Sequence, residues 1–212
     1  MRVEQIYTGC LAHAAYYIED QGEAAIFDPL REVQPYLDRA KKDNATIKYV
    51  FETHFHADFV SGHLDLQKES GAAIVFGPTA KPTYPAIIAS DGQDFNVGRY
   101  TIRIIHTPGH TMESTTYLLI DERNNMHGII TGDTLFIGDV GRPDLAQHVV
   151  SELTEEKLAA HLFDWLRNKI MPLPDHLIVY PNHGAGSACG KNMSSETTDT
   201  LGHQKQVNYA LR

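Results

Sequence analysis

Thr53-His54-Phe55-His56-Ala57-Asp58-Phe59 is the stretch on which the reading of this chain turns. It directly follows residues 47–51 (Ile-Lys-Tyr-Val-Phe), a β-branched and aromatic run that reads as a strand, so its histidines stand where the chain leaves a sheet. Loops at strand ends are where rigid scaffolds build sites. Two histidines at i and i+2 in extended backbone project to the same side, and Asp58 is near enough in sequence to bind a metal or orient a ring N–H. Taken alone, such a pair more often belongs to an exposed loop.

The same placement recurs along the chain. His106-Thr107-Pro108-Gly109-His110-Thr111 ends a strand read over residues 100–106, and its Pro-Gly turn presents His110. Gly132-Asp133-Thr134 ends a strand over residues 126–131, and Asn182-His183-Gly184 ends one over residues 176–180. Strand ends that repeatedly deliver His or Asp beside Gly or Pro point to a metal site. Neutral imidazoles with a carboxylate suit iron, zinc or manganese alike.

Working outward, residues 12–19 and 23–28 read as strands around the turn Asp20-Gln21-Gly22, and Tyr16 and Tyr17 alternate across the first, one for the core and one for solvent or a cleft. Residues 33–42 read as a helix with Tyr36, Leu37 and Ala40 on one face. A second helix over 61–70 ends at Gly71, a buried strand comes next over 73–76, and residues 77–94, with three prolines, read as a long surface loop. Strands over 114–120 and 126–131 flank a turn at 121–125. Thr154, with Glu155 and Glu156 in the first turn, caps a helix whose Leu158, Leu162, Trp165 and Leu166 share a face, and Pro172 ends the helical run. A last helix spans 197–211 without a capping glycine, which suits one module of a longer protein. Two β-rich halves, each with helices, predict one α/β domain over residues 1–212: two sheets face to face with helices outside, an αββα sandwich.

Composition narrows the functions. The chain has 212 residues, 42% hydrophobic and 21% charged, within the ordinary globular range. Eighteen basic residues against 27 acidic ones give a net charge of −9, which repels a polyanion and argues against nucleic acid. No stretch approaches the roughly 18 apolar residues of a membrane span, and the start lacks the apolar run of a secretory signal. The expectation is a cytoplasmic protein whose two cysteines, Cys10 and Cys189, are thiols.

His54-x-His56-x-Asp58, His110, Asp133 and His183, in this order, resemble the metallo-β-lactamase superfamily over nearly the whole chain. Residues 53–62 (THFHADFVSG), 106–111 (HTPGHT), 138–145 (GDVGRPDL) and 183–191 (HGAGSACGK) are similar to its persulfide dioxygenases, particularly bacterial ones that often carry rhodanese domains. The resemblance implies one Fe(II) per chain held by His54, His110 and Asp133. It also implies conversion of a low-molecular-weight thiol persulfide, O₂ and water into sulfite and free thiol, as in sulfide detoxification, with a functional link to rhodanese sulfurtransferases. Phe59 stands where related hydrolases place a second-metal histidine, and an apolar ring cannot ligate, so a single ion is expected. Asp58 and His183 with a bridging Asp133 make only a poorer second site.

Two histidines and one carboxylate leave iron positions open for substrate and O₂. His56, Asp58 and His183 are then expected to hold rings and water by hydrogen bonds. Arg142 is a candidate for a substrate carboxylate, or equally for an ion pair with Asp144 or Asp139. Lys191 could add charge at the same mouth, and Cys189 could line the substrate channel or be a small buried hydrophobe. Cys10, His13, His63, His127, His148, His161, His176 and His203 fit no ligand spacing and read as structural or surface residues; a homo-oligomer stays open. The rival reading is a zinc-dependent thioester hydrolase of the glyoxalase II type, which shares the fold.

Overall fold

Tyr16 and Tyr17 are adjacent on one strand, yet both are buried, because both faces of their sheet are covered. The computed structural model describes residues 1–145 and 154–212, so His148 lies outside the described residues. The first sheet runs in the order β1 (Val3–Thr8), β2 (His13–Asp20), β3 (Glu23–Phe27), β4 (Thr46–Glu52), β5 (Ala73–Phe76), β6 (Ile87–Ile88). Its first three strands form an antiparallel meander and the rest pair in parallel. Two of the parallel steps are made by α1 (Gln34–Lys42) and α2 (His63–Ser70), whose Tyr36, Ala40 and Leu66 lie over Tyr17, Ile26 and Val50 on the outer face.

The second sheet comprises β7 (Asp94–Val97), β8 (Tyr100–His106), β9 (Thr115–Ile120), β10 (Met126–Gly132), β11 (Ile178–Pro181) and β12 (Asp199–Thr200), hydrogen-bonded in that order. β10 and β11 are parallel; the other neighbours are antiparallel. α3 (Glu155–Trp165) packs Leu158 and Leu162 inward, and Leu162 joins Leu118, Ile129 and Val179 on the outer face, with Leu201 of α4 (Leu201–Val207) beside them. Between the sheets Tyr16, Phe27, Phe51 and Val75 meet Phe95, Ile102, Ile104, Tyr117 and Ile130. This is the αββα sandwich of the sequence reading, and Thr154 caps α3 as expected, its hydroxyl accepting from Lys157 N–H at 3.3 Å.

Three local readings differ. β1 was not anticipated, since its side chains are mostly half-buried and show little alternation. The segment 77–94 contains β6 and the start of β7 rather than being loop throughout. The last helix is seven residues instead of fifteen, because the Thr200 hydroxyl caps it by accepting from His203 N–H and Asn208 turns extended at its other end. Among the described residues no helix is long and apolar enough to cross a membrane.

Two buried tyrosine hydroxyls tie the sheets together at one edge. Tyr117 on β9 donates to the Glu52 carbonyl at the end of β4 (2.6 Å), and Tyr16 on β2 donates to the Pro181 carbonyl at the end of β11 (2.5 Å). Each such bond contributes on the order of 1 kcal/mol. Their more specific effect is to hold the ends of β4 and β11, where the histidines emerge, at a set separation.

Candidate metal centre

Asp28, just beyond β3, organises the loop after β4. Its Oδ1 accepts from Thr53 N–H at 2.8 Å and from the His56 ring at 2.9 Å, pinning the Thr53–His56 turn. His54 is thereby placed beside Asp133 and His110: His54 Nε2 lies 3.8 Å and His110 Nε2 3.4 Å from Asp133 Oδ2. Other groups occupy the far nitrogens. His110 Nδ1 donates to the Arg142 carbonyl at 2.9 Å, and His54 Nδ1 meets the Thr53 hydroxyl at 3.0 Å, which leaves each Nε2 facing the carboxylate. Burial, then the neighbouring histidines, holds His54 well below its ordinary value, hence neutral.

All three residues are buried, and neither oxygen of Asp133 has a hydrogen-bond partner. A buried carboxylate without donors is costly unless a cation meets it. Two neutral imidazoles and that carboxylate therefore fit a divalent metal, and the residues expected as ligands are the ones brought together. Gly132 and Gly141 make the convergence sterically possible: a β-carbon on Gly132, at φ +53°, would fall 2.5 Å from Thr53 Cβ, and one on Gly141 would fall 1.9 Å from the Asp133 carbonyl oxygen.

Residues 53–59 are bends and irregular backbone rather than the extended strand that the i, i+2 argument assumed, and although the His54 and His56 rings lie 4.3 Å apart, His56 faces two other carboxylates. Its Nε2 lies 2.9 Å from Asp28 Oδ1 and 3.0 Å from Glu52 Oε2, and Glu52 in turn reaches His63 Nδ1 (3.2 Å) and the Ser61 hydroxyl. Burial disfavours a charged His56, but Asp28 and Glu52 outweigh it and hold the ring well above its ordinary value. With its Nε2 committed to these two carboxylates, His56 is not among the three donor groups that converge on the first site. The Phe59 ring stacks on His56 at 4.3 Å and meets His13 edge-on at 4.4 Å.

A second group adjoins the first. His183 Nε2 lies 3.2 Å from Asp58 Oδ2 and 3.7 Å from Asp133 Oδ1, while its Nδ1 faces the Ala12 carbonyl at 3.3 Å. Cys189 is buried with Sγ 3.9 Å from Asp58 Oδ2; burial, then the charges of Asp133 and Asp58, pushes its thiol up. Arg142 has taken the ion pair that the sequence left open: Nε donates to Asp144 Oδ1 at 3.0 Å and Nη2 to Oδ2, while its N–H and carbonyl brace Cys189 and His110. Lys191 is exposed, and its N–H is held by Asp139 at 2.6 Å.

Sequence reasoning missed Asp28, Glu52 and His13. Asp28 carried the same signal as the ligands, an acidic residue beside Pro29 at a strand end. His13 begins β2, forms a bridge with His183 and is held down to about 3 by burial and by His183; no spacing marks it.

A family model described as the metallo-beta-lactamase superfamily matches residues 8–183. The chain belongs to the metallo-beta-lactamase superfamily. Within it, a metallo-beta-lactamase structure from Staphylococcus aureus is similar at TM-score 0.90 and 36% identity, covering 99% of this chain and 63% of that one. ETHE1 from Myxococcus xanthus is similar at TM-score 0.82 and 26% identity, covering 99% and 84%. A probable hydroxyacylglutathione hydrolase of Schizosaccharomyces pombe is 26% identical over 98% of this chain and 85% of its own length. The chain spans only about half to two thirds of the bacterial hydroxyacylglutathione hydrolases it also matches.

Proposed function

We propose that this chain is a non-haem iron persulfide dioxygenase, oxidising a thiol persulfide with O₂ and water to sulfite and free thiol. The observation that carries this reading is the donor set: His54, His110 and Asp133 converge, while His56 is bound to Asp28 and Glu52 and Phe59 offers no donor. Two imidazoles and one carboxylate would hold Fe(II), which when bound supplies a redox-active centre with positions open to substrate and O₂ together. Likeness to ETHE1 over 99% of the chain supports the reading.

The chain's own groups divide the remaining work. Thr53 and the Arg142 carbonyl orient the two ligand rings, and Asp133 brings the negative charge that favours a divalent ion. Persulfide, O₂ and water give sulfite, thiol and protons, so a proton acceptor is required nearby. Asp58 and His183, 3.2 Å apart, form the pair that takes it, with Asp58 Oδ2 at the partly exposed end.

The hydrolase relatives favour a second reading, in which zinc at the same residues cleaves a glutathione thioester. Anaerobic purification, metal analysis and parallel assays separate the two. Iron with oxygen uptake and sulfite release on glutathione persulfide is expected, with His110→Ala and Asp133→Ala losing both metal and turnover. Zinc with lactoylglutathione cleavage and no oxygen uptake would sink the dioxygenase reading.

A further inference from the structure

The donors of the metal centre come from both sheets: His54 follows β4 of the first, whereas His110 and Asp133 follow β8 and β10 of the second. Their spacing therefore depends on how the loop after β4 is held against the opposite sheet. Bonds from β9 and the turn before it do this at successive points. The Tyr117 hydroxyl donates to the Glu52 carbonyl at 2.6 Å, Thr115 N–H donates to the Thr53 carbonyl at 2.9 Å, and Glu113 Oε1 accepts from Phe55 N–H at 2.9 Å. His54 is thus flanked on both sides by residues tied to the second sheet.

Glu113 belongs to the same braced loop as His110. Thr107 N–H donates to the Ser114 carbonyl at 2.9 Å and Thr111 N–H to the Ser114 hydroxyl at 3.0 Å. The Met112 carbonyl accepts from the His106 ring at 2.8 Å and from the Thr79 hydroxyl at 3.0 Å, and the Glu113 carbonyl accepts from the Thr115 hydroxyl at 2.9 Å. A restraint applied by the Glu113 side chain is therefore passed to His110 through a loop with little freedom of its own. Thr115 and Tyr117 are buried, whereas Glu113 is half-buried and Phe55 exposed, so the Glu113 bond holds the outer end of the row.

We infer that Glu113 is a positioning residue for the metal centre: by accepting from Phe55 N–H it locks the His54 loop to the His110 loop and sets the spacing of the two imidazoles. Their rings stand 5.0 Å apart and nearly perpendicular, at 88°. Asp28 attaches the His54 loop to the first sheet, through Thr53 N–H and the His56 ring, and Glu113 makes the matching attachment to the second. Glu113 acts as a hydrogen-bond acceptor at the backbone beside a ligand, not through its charge. The inference rests on an ion held by His54, His110 and Asp133, whichever ion it is and whichever reaction it serves, so a zinc hydrolase result would leave it standing.

The test loads the chain with cobalt(II) and challenges it anaerobically with graded chelator, reading affinity and the visible ligand-field bands. Removing a group that supports a metal ligand typically costs about 10–100-fold in affinity, and Glu113 works one step further out, so Glu113→Ala should weaken binding about 5- to 10-fold and shift the bands. Glu113→Gln, whose amide oxygen still accepts from Phe55 N–H, should stay within about twofold of the parent and keep its bands. Glu113→Asp keeps the charge but shortens the reach; it should weaken binding as alanine does, and it decides the matter if Glu113→Ala folds poorly. Parent-like affinity and bands in Glu113→Ala or Glu113→Asp would overturn the inference, as would Glu113→Gln binding as weakly as Glu113→Ala, since charge and not the bond would then be acting. A parent protein that holds no cobalt would overturn the metal centre and this inference with it, whereas a parent that holds it beside unaffected variants overturns this inference alone.

Discussion

Gly141 shows how tightly single residues constrain the metal centre. Added there, a β-carbon would lie 1.9 Å from the Asp133 carbonyl oxygen and 3.1 Å from His110 Cβ, so any side chain displaces two ligands at once. Gly141→Ala is therefore expected to lower bound metal by at least half in elemental analysis, with about 1–3 kcal/mol lost from folding through overpacking. Full metal content in the variant would show that the ligands tolerate the shift. Nothing in the local sequence distinguishes this glycine from Gly138, whose β-carbon would meet nothing closer than 3.5 Å. The difference arises from Asp133, which reaches Gly141 only through the fold.

Between β10 and the chain's last helix, Asp139 links elements that sequence reading treats separately. Its carboxylate accepts from Lys191 and Asn192 N–H at 2.6 Å each, and from Val140 N–H and the Tyr209 hydroxyl at 2.8 Å each. The loop that carries Cys189 is thus fastened to the end of α4. Burial alone would raise the Asp139 carboxyl, but these donors outweigh it and hold it below the usual carboxylate range. A carboxyl depressed in the folded state stabilises the protein above its unfolded value of about 3.9, and that contribution is lost as pH falls through the lower folded value. Asp139→Asn should therefore cost about 1.5–3 kcal/mol in denaturant unfolding at neutral pH. The gap from the parent protein should close below about pH 4. If it stayed constant into acid, the charge of Asp139 would not be what fastens the loop.

For the whole molecule, an ion held by His54, His110 and Asp133 would be part of what closes the sandwich edge. With His54, His110 and Asp133 buried and Asp133 unpartnered, removing the ion leaves uncompensated polar atoms between the sheets. An ion present at about 100 times its dissociation constant adds about 2.7 kcal/mol, so chelation should lower the melting midpoint by about 5–10 °C, reversibly on returning a divalent metal under argon. Identical melting with and without metal would contradict this.

Much of this architecture was legible without coordinates. Strand and helix periodicity, the Thr154 cap and the strand-end placement of His54, His110, Asp133 and His183 are local properties, set by backbone direction and turn chemistry a few residues either way. Where partners are remote in the chain, periodicity is silent. His56 looked equivalent to His54 until β3 brought Asp28 beside it. One of Tyr16 and Tyr17 looked outward-facing until α1 covered the face that Tyr17 occupies. Cys189 met Asp58, 131 positions away, only because β11 ends next to the loop after β4. The sequence by itself determined which residues leave the sheets at one edge. The packing of two sheets, fixed by long-range burial and the Tyr16 and Tyr117 bridges, decided which of those side chains face one another and which are neutralised by neighbours.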